Sequence, residues 1–83
     1  MRNKSQQKVL SEIGNVIANQ RITKGMSRNK LALELNTDEK QIRRIEKGEV
    51  NPTILTLLKI FTILEIDLSI LSDLKIEKSF FYE

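Results

Sequence analysis

The sequence contains neither cysteine nor histidine. Without cysteine, the chain has no disulfide, no thiolate nucleophile and no cysteine-based zinc site. Without histidine, it also lacks the most common general base and metal ligand. Its serines, lysines and carboxylates are scattered, with no recognisable pair of nucleophile and base. We therefore expect a protein that is not an enzyme and that uses no cofactor and no metal.

Long apolar runs are missing as well. The N-terminal stretch MRNKSQQKVL is charged and could not act as a signal peptide, and no segment is long enough to span a membrane. We expect a cytoplasmic protein with no membrane partner. With 83 residues, the chain forms one small domain, whose thin core would gain stability from association with a second chain.

Charge is distributed unevenly along the chain. The net charge is only +3, but residues 1–48 hold eleven lysines and arginines against five acidic residues, a balance of +6. The remaining residues hold three basic side chains against six acidic ones. Such an asymmetry is typical of a protein whose basic half faces a polyanion, although random scatter over solvated surfaces gives similar counts.

The apolar spacing predicts three helices in the first half of the chain. Residues 5–24 carry apolar side chains at intervals of three and four, and Gly25 stops that helix. Ser27 caps a short second helix. After a turn, Thr37 is expected to cap a third helix, which ends at Gly48.

A fourth helix begins after Thr53, its predicted cap. It is apolar on most sides, because only Thr56, Lys59 and Thr62 would face water. Such a surface is costly to expose on a monomer, so we interpret its outer side as a dimer contact, unless a later part of the same chain covers it. The residues expected inside are Ile54, Leu57, Leu58, Phe61 and Leu64, and those expected outside are Leu55, Ile60 and Ile63.

After the fourth helix the hydrophobic period changes. Residues 65–70 alternate between polar and apolar, which is the pattern of a half-buried strand. Such a strand would pair with its copy in a second subunit about a twofold axis. A fifth helix over residues 67–74 is the alternative, and the pattern favours the strand only slightly. With the fourth helix, this segment gives the predicted dimer interface: Leu55, Ile60, Ile63, Ile66, Leu68 and Ile70.

The chain ends in three of its four aromatic residues, Phe80, Phe81 and Tyr82. Disordered tails seldom carry aromatic side chains, because such side chains favour burial. We therefore expect this tail to dock on a surface.

The third helix has two contrasting sides. Ile42 and Ile45 mark its inner side. Four cations share the opposite side, next to Glu39: Lys40, Arg43, Arg44 and Lys47. Two short helices joined by a tight turn, the second with a basic surface, form the shape that lays a helix in the major groove of DNA. Long basic side chains there reach phosphates and guanine, so the sequence predicts binding to double-stranded DNA.

With these residues, the segment KGMSRNKLALELNTDEKQIRRIEKGEVNP resembles the DNA-binding core of the Xre-type family, the Cro and phage-repressor kind of helix-turn-helix. The resemblance covers roughly residues 13–64. Its marks are Ile13-Gly14, Arg21, Gly25, Ser27, Leu31-Ala32, Ile42, Ile45-Glu46, Gly48, Asn51-Pro52 and the run LLKI at 57–60. The resemblance implies an all-α, lambda-repressor-like domain of four or five helices, to which the strand reading would add a short C-terminal strand that pairs across a dimer.

The residue patterns and this resemblance together predict the organisation of the chain. Residues 1–7 would be a flexible N-terminus, and residues 8–64 would be the helix-turn-helix DNA-binding domain. Residues 65–83 would be a C-terminal segment for dimerisation and partner binding.

The resemblance further implies roles for single residues. Arg21 and Glu46 would form a structural ion pair that fixes the recognition helix against the first helix. A bidentate arginine on guanine contributes about 1–3 kcal/mol of discrimination, and we expect Arg44 to contribute most to specificity. Arg28, Thr37 and Asn51 would bind phosphates, Glu39, Lys40 and Arg44 would read bases, Arg43 would reach either, and Lys47 completes the predicted DNA contacts.

Two positions depart from the pattern of the family. Asn36 replaces the glycine usual in the turn, and asparagine tolerates the left-handed conformation. Glu39 puts a carboxylate where many relatives carry a neutral side chain. It would either accept a hydrogen bond from cytosine or pair with Arg43 one turn on, and the sequence leaves both alternatives open.

The run NPTILTLLKIFTILEIDLSIL is similar to HipB-type antitoxins, in which a strand after the fourth helix pairs across the dimer. Such proteins repress their own operon and bind a kinase-like toxin. The resemblance implies a homodimeric autorepressor that binds a palindromic operator, acts as an antitoxin and has a toxin protein as partner. The sequence leaves open a free-standing phage-type repressor, a restriction–modification controller protein, or an interaction adaptor without DNA binding.

Overall fold

The computed structural model of the protein describes residues 2–81. In this range all regular structure is helical, which confirms the predicted all-α fold. None of the helices described here combines the length and the hydropathy of a membrane span. Tyr82, the last aromatic residue of the tail, lies outside the described residues. The α-helices are α1 (Lys4–Thr23), α2 (Arg28–Glu34), α3 (Glu39–Glu46) and α4 (Ile54–Leu64), and two 3₁₀ helices follow at Leu68–Asp73 and Lys78–Phe81.

The core lies between the four α-helices. Burying a large apolar side chain stabilises a fold by about 1.5–3 kcal/mol, and every α-helix contributes at least one buried apolar side chain. α1 packs against both α3 and α4, so it supports the helix that carries the four cations. The largest side chains that are fully buried are Ile17, Leu31, Ile42, Ile60, Phe61 and Leu64.

Side-chain caps define where the α-helices begin. At α3, Asp38 Oδ1 accepts a hydrogen bond from the backbone N–H of Gln41 at 2.8 Å. The prediction that Thr37 caps α3 is therefore wrong by one residue. Asp38 has the extended backbone of a cap, and its carboxylate also suits the positive end of the helix dipole. The four capping residues are Asn3, Ser27, Asp38 and Thr53.

Left-handed backbone follows α2 and α3 at the positions that the sequence predicts. Gly48, which follows α3, has a φ of 71°, and its N–H donates to the carbonyl of Ile45 at 3.1 Å. Asn36 adopts the same conformation between α2 and α3, with a φ of 56°. The N–H of Thr37 then donates to the carbonyl of Ala32 at 2.9 Å. Asparagine thus replaces the usual glycine without loss of the turn.

The orientation of α4 differs from the prediction at two positions. Ile60 is completely buried in the core, so it is not on the outer side of the helix. Ile54, which was expected inside, is 66% exposed. The buried stripe follows the helical period from Leu57 to Leu64 and includes Ile60 and Phe61. A helix that is apolar on most sides offers no polar contrast from which its rotation could be predicted.

Residues 65–74 do not form the predicted strand in the described chain, so the strand reading is wrong. A lone strand would leave its backbone hydrogen bonds unmade, whereas the 3₁₀ helix Leu68–Asp73 closes them locally. Asp67 starts this helix, because its Oδ1 accepts a hydrogen bond from the N–H of Ser69 at 2.8 Å. The same hydrogen bond holds the pKa of Asp67 below its ordinary value of 3.8. The alternative of a fifth helix over 67–74 is close to the observed structure.

The N-terminus is part of the fold. Residues 4–7, predicted to be flexible, form the first turn of α1. Asn3 and Gln6 cap this turn reciprocally, since each side chain accepts a hydrogen bond from the backbone N–H of the other. Arg2 reaches further and donates to the carbonyls of Gly48 at 3.0 Å and Glu49 at 2.8 Å. The start of α1 therefore lies beside the end of α3.

Candidate nucleic-acid interface

α2 and α3 form a compact pair of helices around the turn at Asn36. Leu31 and Ala32 of α2 lie in the same buried cluster as Ile42 and Ile45 of α3. This packing fixes the rotation of α3, because both isoleucines are at most 3% exposed. The side of α3 opposite to them faces outwards, as the sequence predicts.

The outer side of α3 carries the four cations. Lys40 and Lys47 are exposed, and Arg43 and Arg44 are half-buried. Within the described residues, none of the four forms an ion pair or a side-chain hydrogen bond. Their charges are therefore not neutralised by the protein itself, and they remain available to an anionic ligand.

Glu39 begins this surface and is exposed. Of the two alternatives for this carboxylate, the ion pair with Arg43 is not formed within the described residues. The carboxylate is a free acceptor at the N-terminus of α3, where the helix dipole favours a negative charge.

A buried carboxylate fixes α3 from the inside. Glu46 is 3% exposed, and its two oxygens bind Arg21 of α1, with Nε–Oε2 at 2.6 Å and Nη2–Oε1 at 3.1 Å. Arg21 also donates through Nη1 to the carbonyl of Met26 at 2.9 Å. The predicted ion pair is thus present in the structure. Since both charges are buried, this pair ties the last residue of α3 to α1.

The same carboxylate binds a second arginine that the sequence did not connect to it. Arg28, the first residue of α2, donates through Nε to Glu46 Oε1 at 3.0 Å. Its side chain is 35% exposed, and its two terminal nitrogens have no hydrogen-bond partner among the described residues. Arg28 is therefore held at one end and free at the other. This geometry suits a guanidinium that binds a phosphate.

α1 and α3 approach each other closely at a glycine. A Cβ atom at Gly14 would lie only 2.3 Å from the carbonyl oxygen of Glu46. No other residue type fits there unless the two helices separate. Gly14 thus allows the contact that supports Glu46, a role that the helical periodicity alone did not indicate.

Three polar residues near this surface were not among the predicted site residues. Gln41, Thr56 and Lys59 line a notch of about 260 Å³ between α3 and α4, together with Thr37. Gln41 precedes Arg44 by almost one helical turn, and its amide could bond to adenine. The notch could not be predicted from local sequence patterns, because Gln41 lies on α3 whereas Thr56 and Lys59 lie on α4.

Asn51, a predicted phosphate contact, has neighbours from both ends of the chain. It is exposed in the loop after α3 and lines a cavity with Arg2, Gln6 and Phe80 on the side of α1. Arg2 was assigned to the flexible N-terminus, yet it belongs to the neighbourhood of this loop. No spacing in the sequence indicated that contact.

The predicted dimer residues lie in three different environments. Leu55 and Leu68 are 66% and 51% exposed. Ile63, Ile66 and Ile70 are half-buried and pack partly against the core. Ile60 is excluded by its burial, as described above. An open groove of about 330 Å³ runs over the outer side of α4 and is lined by Glu34, Leu35, Leu55, Leu58, Lys59, Thr62 and Ile63.

Comparison with known proteins agrees with this arrangement. A family model described as helix-turn-helix matches residues 17–71, more than half of the chain. The matched range contains the whole of α2, α3 and α4. No curated protein and no solved structure matches the chain. The chain therefore belongs to the Xre-like helix-turn-helix family, has a lambda-repressor-like domain, and carries the DNA-binding domain of a transcriptional regulator.

Proposed function

We propose that the protein is a sequence-specific regulator of transcription that binds double-stranded DNA with α3 in the major groove. One observation carries this proposal: the cations of α3 project from a helix whose inner side is buried, and none of them is paired within the described residues. A basic helix that is rigidly held and not neutralised by its own protein is suited to a polyanion.

The contacts divide by what they reach. Arg44 and Lys40 read base edges, with Glu39 as an acceptor for cytosine. Arg28, Thr37 and Asn51 bind phosphates, and Arg43 and Lys47 bind the backbone or an adjacent base. The hold of Glu46 on Arg28 supports this division, because a phosphate contact needs a fixed position more than it needs reach.

A mobility-shift titration tests the proposal with two single variants. The DNA is the promoter of the protein's own gene, and random duplex of the same length is the competitor. Arg44→Ala should reduce the preference for the promoter by about 1–3 kcal/mol. Arg28→Ala should weaken both DNAs nearly equally and lower the salt dependence. Lys75→Ala, in the acidic half, is the matched control and should change neither.

Equal effects of the two arginine variants on promoter preference would refute the division of roles. No shift with either DNA, at low salt as well as at moderate salt, would refute DNA binding itself. That result would favour the adaptor function, in which the basic face binds an acidic protein.

We further propose that the regulator acts as a homodimer on a palindromic operator. The outer side of α4 supports this, because Leu55 is largely exposed and the groove beside it is open. A twofold dimer would present two copies of α3 to successive major grooves, about 34 Å apart. The spacing of half-sites in DNA selected from a random pool tests this geometry.

The antitoxin role is a second candidate function. The resemblance that implied it included a strand at residues 65–70, which is not formed in the described chain. The role now rests on apolar side chains exposed in the acidic C-terminal half, Leu68, Ile76 and Phe81, which suit a protein partner. A stable complex with the product of an adjacent gene, whose toxicity the protein relieves, would support it. Absence of such a complex would favour a free-standing repressor or controller protein.

A further inference from the structure

The C-terminal segment docks on the first turn of α1. Asn3 Nδ2 donates to the carbonyl of Ser79, and Gln6 Nε2 donates to the carbonyl of Phe80 at 2.7 Å. The hydroxyls of Ser5 and Ser79 are also within hydrogen-bonding distance. The two amide side chains bind main-chain carbonyls, so these hydrogen bonds depend on the backbone conformation of the segment more than on its side chains.

The two phenylalanine side chains of the segment contribute differently to its docking on α1. Phe80 is half-buried and lines a cavity of about 510 Å³, with Val9, Leu10 and Ile13 of α1 as the apolar wall. Phe81 is 74% exposed, and its ring packs nearly perpendicular to the Phe80 ring, with ring centres 5.6 Å apart. The ring of Phe80 is therefore the one that the groove recognises.

The segment is joined to the rest of the chain by a thin connection. Residues 75–77 are exposed. Among the described residues, these three make one backbone hydrogen bond outside the helices, in which the carbonyl of Glu77 accepts from the N–H of Phe80. None of the hydrogen bonds that dock the segment involves residues 75–77. The same contacts could be made by the corresponding segment of another chain.

We propose that this groove on α1 is a binding site for the aromatic C-terminal segment of a second copy of the chain. In the single chain, the protein's own Phe80 forms one wall of this groove, and Gln6 binds the carbonyl of Phe80. Between two chains the segments can exchange, because exchange replaces each contact by an identical one. The residues 74–77 span only about 13 Å when extended, so exchange takes place between copies already in contact. This surface is separate from α3 and does not depend on DNA binding.

The chain's own tail is a strong competitor for the groove. A short tether gives an effective concentration on the order of 1 mM, so an added segment binds poorly to the intact protein. Weakening the internal segment should therefore open the groove. The probe is a fluorescently labelled peptide with the sequence of residues 74–83.

The first experiment compares full-length variants by fluorescence anisotropy. Phe80→Ala in the protein should bind the probe at least about tenfold more tightly than the unmodified chain does. Phe81→Ala is the matched control and should bind as weakly as the unmodified chain, because Phe81 is largely exposed and does not line the groove. A probe with alanine in place of its first phenylalanine should not bind. Equal binding of the probe by the Phe80→Ala and Phe81→Ala proteins would overturn the assignment of the groove.

The second experiment tests exchange between copies, and it uses the natural absence of cysteine. A Ser5→Cys chain is mixed with a Ser79→Cys chain of different mass, and thiols are oxidised to disulfides with oxidised glutathione. If the segments exchange, the main cross-linked product should be the disulfide between residue 5 of one chain and residue 79 of the other, because these two side chains touch in the docked state. Ser72→Cys, from the first 3₁₀ helix, replaces Ser79→Cys in the control. A disulfide yield no higher than in this control would overturn exchange. A melting temperature equal to that of the unmodified protein shows that each variant is folded.

Discussion

At the scale of single residues, Glu46 ties α3 to two other helices. Its carboxylate binds Arg21 of α1 and Arg28 of α2, so one residue of α3 connects all three helices. A buried carboxylate would be unstable alone, and the two guanidinium groups offset its desolvation. Arg21 and Arg28, the arginine proposed to bind a phosphate, therefore share one acceptor.

Removing Arg21 should be strongly destabilising. In Arg21→Ala the buried carboxylate of Glu46 loses its main partner, and the loss of one member of a buried pair costs about 3–5 kcal/mol. Thermal unfolding followed by circular dichroism measures the effect. Lys24→Ala is the matched control, because its ion pair with Glu65 is exposed, and it should leave the melting temperature almost unchanged. A similar melting temperature for both variants would mean that Glu46 is stabilised in some other way.

Gly14 provides a second test at this scale. Alanine favours an α-helix over glycine by about 1 kcal/mol, so Gly14→Ala would stabilise α1 if nothing lay opposite. The structure predicts a net loss instead, since the new methyl group would overlap the carbonyl of Glu46. Urea unfolding measures the sign. A matched substitution is Asn15→Ala on the exposed side of α1, which should be neutral or stabilising. A stabilised Gly14→Ala protein would contradict the close approach of α1 and α3.

At the scale of single elements, the cap of α3 separates stability from DNA binding. Asp38→Ala removes the side chain that accepts from Gln41, and loss of such a cap costs about 0.5–2 kcal/mol. Thr37→Ala, one residue earlier, should leave stability nearly unchanged, and it should weaken DNA binding if Thr37 binds a phosphate as proposed. Chemical denaturation and a mobility shift on both variants measure the two effects. If Thr37→Ala were the more destabilising of the two, the cap would be Thr37 after all.

Most elements of the DNA-binding core could be predicted from the sequence. Helix ends carry strong local signals, and Asn36 and Gly48 adopt the left-handed backbone that their residue types favour. The rotation of α3 was predictable for another reason: Ile42 and Ile45 are its only apolar residues, so just one side of the helix can face a core.

Other elements could not be predicted because local signals were weak or misleading. α4 is apolar on most sides, and the sequence did not indicate that Ile60 faces inwards and Ile54 outwards. Residues 65–70 alternate like a strand, but the hydrogen bond from Ser69 to Asp67 decides for a 3₁₀ helix. The aromatic tail was expected to dock on a surface, but its place at the start of α1 joins opposite ends of the chain, which no local pattern reveals.

At the scale of the whole molecule, the exposed apolar surface and the basic surface belong to different helices. The cations lie on α3, whereas the groove beside Leu55 lies on the outer side of α4. A second copy can therefore cover the apolar groove without neutralising the cations. This separation is what a dimeric DNA-binding protein requires, because both copies of α3 must remain free to reach DNA.

If the proposed dimer forms through α4, charging the outer side of this helix should convert the dimer to monomers without unfolding the chain. Leu55→Lys is a better test than Ile63→Lys, because Leu55 is 66% exposed while Ile63 packs partly against the core. Sedimentation velocity should shift to the monomer, and the slope of log affinity against log salt should fall to about half, since each monomer contacts half the phosphates. Ile22→Lys is the matched control, because Ile22 is 64% exposed on α1, and it should change neither measurement. A Leu55→Lys protein that keeps the mass and salt slope of the unmodified protein would exclude α4 as the interface.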